Sequence, residues 1–347
     1  MRAAVYRGRE HVTIDDVPEP ECPPGHVKLR VAHNGICGTD LHEYYAGPIF
    51  FPTEPHPLTG MTLPLVMGHE FAGTVVEAGE GVTAARVGDR VTVEPIHRCG
   101  SCPPCQEGRY NVCRRIGFHG LMAHGGMAEY TVVPEQMLHR LPDEVSWELG
   151  AMVEPMAVAY HAARLGGVGP GGHAVVFGAG PIGIGLWFAL RGEGVEDITV
   201  VEPSAERRAA LERLGARDVI DPRRTDPVRH VMRRTKDRGA AAAYDAAGVE
   251  ASVDAALSCV AAHRPVVSVA VYERPLTTPL LKLVLSESRI QGSLCYTAED
   301  YRRVIELMAA GHYDTEGWVG HIPLERLHDE GFAALHAGRK MKVLVDL

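Results

Sequence analysis

The chain has 347 residues, a formal net charge of −9 and 46% apolar residues. Dividing by roughly 150 residues per domain gives two or three domains, and the ordinary globular composition excludes a fibre, a peptide or a disordered tail. The negative balance argues against nucleic acid and anionic membranes as partners. No stretch approaches the ~18 consecutive apolar residues of a membrane span, and the opening MRAAVYRGREHV lacks the apolar core of a secretory signal. The expectation is a cytoplasmic protein with reduced thiols.

Up to about residue 150 the chain reads as short strands with turn punctuation. Val27, Leu29 and Val31 alternate with polar partners, EFAGTVVEAGEG ends in a glycine-rich turn, and VGDRVTVEPI and AEYTVVPE repeat the theme. This predicts a β-rich domain, a barrel or a distorted sandwich. Gly47 to Pro64 forms a proline-rich irregular loop of a length that is usually functional or mobile.

Four of the eight cysteines, Cys99, Cys102, Cys105 and Cys113, fall within fifteen residues, in CGSCPPCQEGRYNVC. Four thiolates on a compact loop can surround one tetrahedral Zn²⁺. With no open coordination position and no neighbouring base, the cluster reads as a structural zinc lobe at about 97–115. Disulfides or free thiols are the alternative. Cys22, Cys259 and Cys295 read as ordinary buried thiols.

From about residue 157 strands and helices alternate: HAVVFGAG, PIGIGLWFALRGEG, DITVVEPS, a helix capped by Ser204, then DVID, a helix near TDPVRHVMRRTK, AAAYDAAG, a helix near EASVDAALSCV, and the strands RPVVSVAVY and RIQGSLCY. Such alternation predicts a doubly wound parallel sheet. A helix from about Thr297 to Gly311 and a last strand near KVLVDL are expected to return to the first domain. The division is then 1–156, 157–296 and 297–347.

Gly178, Gly180 and Gly183 make G-A-G-P-I-G between the first of these strands and its helix. Alone the pattern is weak; in this context it is a dinucleotide-phosphate loop. The first glycine allows the turn, the second admits pyrophosphate, and the third lets helix pack on strand, with Pro181 and Ile182 opening the helix. Glu202, at the end of the second strand, would accept hydrogen bonds from the adenosine ribose and favour NAD over NADP, or would be a solvated strand-end charge. Arg207 could blur that choice by accommodating a phosphate.

Cys37 in GICGTDLH, His69 and Glu70 in MGHEFAG, and Glu154 in MVEPMAVAYHA are unremarkable singly. Together they offer a thiolate, an imidazole and carboxylates, a set that suits zinc with one position open. Their separation in sequence does not show that they meet.

GICGTDLHEYYAGP, MGHEFAGTVVEAGEGV, the four-cysteine lobe and VVFGAGPIG together resemble the zinc-containing medium-chain alcohol and polyol dehydrogenases, over essentially the whole chain and in the same order. AGPIFFPTEPHPLTG looks most like the (R,R)-2,3-butanediol dehydrogenase branch, and VEPMAVAYHA fits that branch and its sorbitol-dehydrogenase relatives. The resemblance implies an α/β fold with a GroES-like catalytic domain, a Rossmann-type NAD-binding domain and a cleft between them. It implies two zinc ions per chain, the catalytic one on Cys37, His69 and Glu154 or Glu70. By the same resemblance Thr39 would hydrogen-bond the substrate oxygen and His42 would pass a proton towards solvent. Zinc would acidify the substrate hydroxyl and NAD would take the hydride. The expected substrate is a vicinal diol or its hydroxyketone. Sorbitol, another polyol or threonine are the nearest alternatives, and a zinc- and NAD-binding sensor without turnover is the alternative of a different class. The family forms dimers and tetramers, although the sequence displays no clear self-association stripe. Tyr44 and Phe50–Phe51 could line the substrate cleft or simply pack.

Overall fold

The alternation of Val27, Leu29 and Val31 has a direct cause in space. All three are at most 2% exposed and pack with Val75, Val91, Val93 and Val133 on one face of a mixed sheet. The computed structural model describes residues 1–272 and 274–347, which separate into two units.

The first unit comprises Met1–Glu154, Thr297–Ala310 and Trp318–Leu347. Its seven-stranded sheet runs Leu138–Arg140, Arg90–Val93, Glu70–Ala78, His26–Gly35, Lys342–Asp346 and Val319–Pro323, with Tyr130–Pro134 also paired to His26–Gly35. The C-terminal strand thus lies antiparallel beside a strand from the beginning of the chain, with Leu344 opposite Gly35 and Asp346 opposite His33. A smaller sheet joins His11–Asp16, Arg2–Gly8 and Leu65–Val66. The helix Ala298–Ala309 packs onto this unit through Tyr301, whose hydroxyl donates to the Val93 carbonyl at 2.9 Å.

The second unit holds six parallel strands in the order Val219–Ile220, Asp197–Val201, His173–Phe177, Ala242–Asp245, Pro265–Ser268, Arg289–Gly292. All six were legible in the sequence as strands, although the helix between the last two was not, and the order is that of a doubly wound dinucleotide-binding sheet. The strand order reverses beside His173–Phe177, so its carboxyl end is the crevice where such sheets take ligands. Gly311–Gly317 groups with this unit, tied by Tyr313 against Phe188 (ring centroids 4.9 Å apart) and by Arg213, which donates to the Gly317 carbonyl at 3.4 Å.

Several helices escape the sequence reading, two of them for a plain physical reason. Trp147–Gly166 is apolar almost all round and contains Pro155, so it shows neither a polar stripe nor an uninterrupted run. Leu280–Ser286 is short, and Leu280, Leu281, Val284 and Leu285 are 65–78% exposed, which no periodicity signals. Among the described residues no helix is long and apolar enough to cross a membrane.

Candidate metal and nucleotide sites

Cys37 sits at the N-cap of the helix Gly38–Ala46, and its amide donates to the Asp40 carboxylate at 2.8 Å. This capping bond fixes the turn that aims the thiol. Glu70 begins the strand Glu70–Ala78 opposite Gly35 of the neighbouring strand, and His69 immediately precedes it. A Cβ on Gly35 would lie 2.1 Å from Glu70 Oε2, so glycine is what admits the carboxylate. The result is a trio, Cys37, His69 and Glu70, whose donor atoms all lie within 4.8 Å of one another.

The surroundings are charged and dry. Asp40 is fully buried, its Oδ1 is 3.7 Å from His69 Nδ1, and burial pushes its pKa up to about 6. Neither of those two atoms has a hydrogen-bond partner. His69 is raised well above the ordinary imidazole value: burial opposes its charge, but Asp40, Cys37 and Glu154 outweigh it. Lys342, itself buried, donates to Glu70 and to the Ile36 carbonyl, the latter at 3.0 Å. One thiol and three acids therefore converge where a single ammonium is the nearest fixed cation. A divalent ion on the trio would relieve that excess, and Asp40 facing Nδ1 leaves the other ring nitrogen to the ion, the usual carboxylate–histidine support of a metal ligand. The residues fit zinc.

Glu154 is 5% exposed on the helix Trp147–Gly166 and bears electrostatically on His69 and Lys342, but its carboxylate does not join the trio within that spacing. Thr39 Oγ1 lies 3.7 Å from Cys37 Sγ. His42 is half-buried one turn further along the same helix. Phe51 is 3% exposed and stacks on Tyr6, Tyr44 packs against Phe332, and Phe50 is exposed. Phe51 is therefore a core residue. Glu43, fully buried, accepts from the amides of Ile49 and Phe50 and so anchors the start of the proline-rich loop. Asp40, Glu43 and Lys342 were not foreseen. For Lys342 the available signal was a lysine opening an otherwise apolar strand.

The four-cysteine lobe is similarly gathered. Cys99, Cys102, Cys105 and Cys113 have their sulfurs within 4.8 Å of one another. The separations are 4.0 Å for Cys99–Cys105, 3.8 Å for Cys102–Cys113 and 3.5 Å for Cys99–Cys113. Those lengths exclude disulfides, which need about 2.05 Å, and bracket the roughly 3.8 Å edge of a tetrahedron with 2.3 Å zinc–sulfur bonds. Amides of Cys99, Cys102 and Arg115 point at the sulfurs at 3.4 Å, and backbone donors at Ser101 and Cys102 pull the Cys99 thiol down to about 5.

In the second unit Gly178 has φ +100°, a conformation that favours glycine, and a Cβ on Gly183 would lie 2.0 Å from the Gly178 carbonyl oxygen. At Gly180, the N-cap of Pro181–Gly192, a Cβ would find nothing nearer than Arg207 at 3.8 Å, so the approach to the helix end is open. Ile182 lies in the first turn of that helix. Glu202 is 3% exposed, accepts from Ala179 N at 2.8 Å and Ser204 N at 2.7 Å, and stands 4.0 Å from Arg207. It is not a solvated strand-end charge.

Residues 23–143 match the family described as alcohol dehydrogenase GroES-like domain, and residues 181–310 match zinc-binding dehydrogenase. The chain is 40% identical over 349 residues to the (R,R)-butanediol dehydrogenase of Bacillus subtilis (strain 168), covering 99% of each. It is 31% identical to a protein of Aspergillus clavatus described as "Probable D-xylulose reductase A", over 98% of this chain and 95% of that one. A crystal structure of the Bacillus subtilis 2R,3R-butanediol dehydrogenase superposes with a TM-score of 0.94 at 40% identity, over 100% of this chain and 99% of that one. With a GroES-like match over the trio and the thiolate lobe, and a zinc-binding dehydrogenase match over most of the parallel-sheet unit, the chain belongs to the zinc-containing medium-chain dehydrogenases.

Proposed function

We propose that the protein is a zinc-dependent, NAD-linked oxidoreductase that interconverts a vicinal diol and its hydroxyketone, (R,R)-2,3-butanediol and acetoin above all. The trio of Cys37, His69 and Glu70 carries the chemical part of this reading; the substrate rests on the full-length likeness to butanediol dehydrogenases. In this reading the first unit is the catalytic domain and the second binds the nucleotide.

When bound, zinc supplies Lewis acidity towards the substrate oxygen and NAD accepts the hydride. The rest falls to the chain. Cys37, His69 and Glu70 hold the ion, with Glu154 as a further buried charge. Asp40 keeps His69 oriented. Thr39 hydrogen-bonds the substrate hydroxyl, and His42 carries its proton outward, a general acid–base task open to an imidazole. The loop at Gly178, Gly180 and Gly183 and the N-terminus at Pro181–Ile182 cradle the pyrophosphate, while Glu202 takes the ribose hydroxyls and disfavours a 2′-phosphate. The four-cysteine lobe holds the structural zinc.

The same reading includes a homodimer or homotetramer. It is supported by the exposed leucines and valine of Leu280–Ser286, next along the chain to Arg289–Gly292, the edge strand of the six-stranded sheet. A cytoplasmic setting is supported by eight cysteines, none of them in a disulfide.

A polyol such as xylitol or sorbitol is the second reading, favoured by the likeness to the protein described as a D-xylulose reductase. A kinetic panel of butanediol stereoisomers, acetoin, xylitol, sorbitol and threonine with NAD and NADP tests both. The expected outcome is highest kcat/KM for (R,R)-butanediol with NAD. A preference for xylitol or sorbitol selects the second reading, and turnover of long-chain monoalcohols alone defeats both. Absence of any NADH formation would leave a sensor.

A further inference from the structure

A third set of donor side chains shares no residue with the trio or the four-cysteine lobe. His33 lies on the strand His26–Gly35, Asp346 sits directly opposite it on Lys342–Asp346, and His321 lies on Val319–Pro323, the next strand over. Their donor atoms all fall within 4.8 Å of one another. Asp346 Oδ1 is 2.9 Å from His33 Nδ1 and 2.8 Å from His321 Nδ1. Glu148 brings a second carboxylate, its Oε1 3.4 Å from His321 Nε2. The two rings meet edge to face with centroids 5.0 Å apart.

Hydrogen bonding alone leaves this arrangement unfinished. The Asp346 oxygen is well placed for His321, but the buried His33 Nδ1 has no hydrogen-bond partner, although the same oxygen is 2.9 Å away. Two nitrogens and an oxygen crowded around one point are what an ion requires. With metal–donor bonds of about 2.1 Å, donors at right angles lie about 3.0 Å apart, whereas tetrahedral donors lie about 3.4 Å apart. The observed 2.8 and 2.9 Å fit adjacent corners of a six-coordinate ion. The side chains of His33, His321 and Asp346 are 22, 36 and 47% exposed, so an ion and its waters can reach them.

The geometry points to a third metal site, in which His33, His321 and Asp346 bind a divalent transition ion on one face, with Glu148 beside it and the remaining positions open to water. Two imidazoles and a carboxylate select borderline ions such as Ni²⁺, Co²⁺ or Zn²⁺ over Mg²⁺ or Ca²⁺. The ion would clamp the C-terminal strand to both its neighbours. This site is independent of the catalytic reading, since none of its residues serves there.

The test uses the full untagged chain with its resident metals, freed of loosely held ions by desalting. Ni²⁺ is titrated calorimetrically into the unaltered protein, His321→Ala and Asp346→Asn, and bound metals are counted by mass spectrometry. The unaltered protein is expected to bind one Ni²⁺ more than His321→Ala, to bind it about tenfold or more tightly than Asp346→Asn, and to gain in thermal midpoint where the variants do not. Zinc content and turnover report on the fold of each variant, and His321→Gln replaces His321→Ala if the smaller residue unfolds the chain. No additional equivalent in the unaltered protein, or the same equivalent in all of them, overturns the proposal.

Discussion

Lys342 pairs with Glu70 across 272 positions of sequence, with side chains only 3% and 1% exposed. Each charge depends on the other, because removing one partner of a buried pair leaves the survivor uncompensated. Lys342→Met is therefore expected to cost about 3–5 kcal/mol in chelator-treated protein, and Lys342→Met with Glu70→Gln to recover most of it. Zinc loading should soften the single variant only if Glu70 touches the ion. Denaturant melts of both variants with and without zinc check this. A double variant no more stable than Lys342→Met would show that the pairing is not what holds Glu70.

The two cysteine sites separate by readout. Cys37→Ser should lose turnover and one zinc while melting close to the unaltered protein, because Cys37 heads a single helix. Cys102→Ser should also lose one zinc, but there the ion closes a loop with little apolar core of its own: only Asn111 and Cys113 of its residues are buried. The expected loss is several kcal/mol of stability, with turnover retained at low temperature. Metal counts, melts and rates on each variant decide; equal melting points for the two would refute the structural role of the lobe.

Glu202 does two things at once. Its carboxylate accepts from the glycine-loop amide of Ala179, and it stands 4.0 Å from Arg207. On the proposed cofactor reading, Glu202→Ala removes the acceptor for the ribose and leaves Arg207 free to meet a phosphate. The ratio of kcat/KM for NAD over NADP is expected to fall about 10- to 100-fold, the worth of hydrogen bonds to a charged group. An unchanged ratio in a variant that melts normally would remove Glu202 from cofactor choice.

What the sequence disclosed follows the range of the interactions. The Gly178–Gly183 loop and the four cysteines are local, so spacing alone carried their geometry, and Gly183 proves necessary because a Cβ there meets Gly178. Cys37, His69 and Glu70 were named by residue type and resemblance, yet their meeting depends on strand pairing between Gly35 and Glu70 that no spacing encodes. Asp40 reads in sequence as a helix-capping acid, which it is, and only the fold turns its second oxygen towards His69. Phe50 and Phe51 are adjacent and chemically identical, but one is 44% exposed and the other packs on Tyr6. Lys342 and the His33–His321–Asp346 group join the two ends of the chain, and nothing local marks them.

His119 gives the stability a pH dependence of its own. It is 4% exposed, its Nε2 lies 2.9 Å from Thr131 Oγ1, and its pKa is held well below the ordinary imidazole value by burial first and by His97, His124 and His26 after it. An unfolded histidine titrates near about 6.5. Below that pH the unfolded chain takes up a proton that the folded chain refuses, so the unfolded state gains and stability falls as pH drops, until the lowered folded value is reached. From pH 7 to pH 5 this one residue is therefore expected to lower the stability. His119→Gln, which keeps a group able to bond Thr131, should lose less stability than the unaltered protein over the same interval. Urea melts at half-unit steps, with the two proteins compared at each pH, isolate the difference from carboxylate and thiolate titration common to both. Parallel curves would mean that His119 is protonated in the folded state, contrary to its burial.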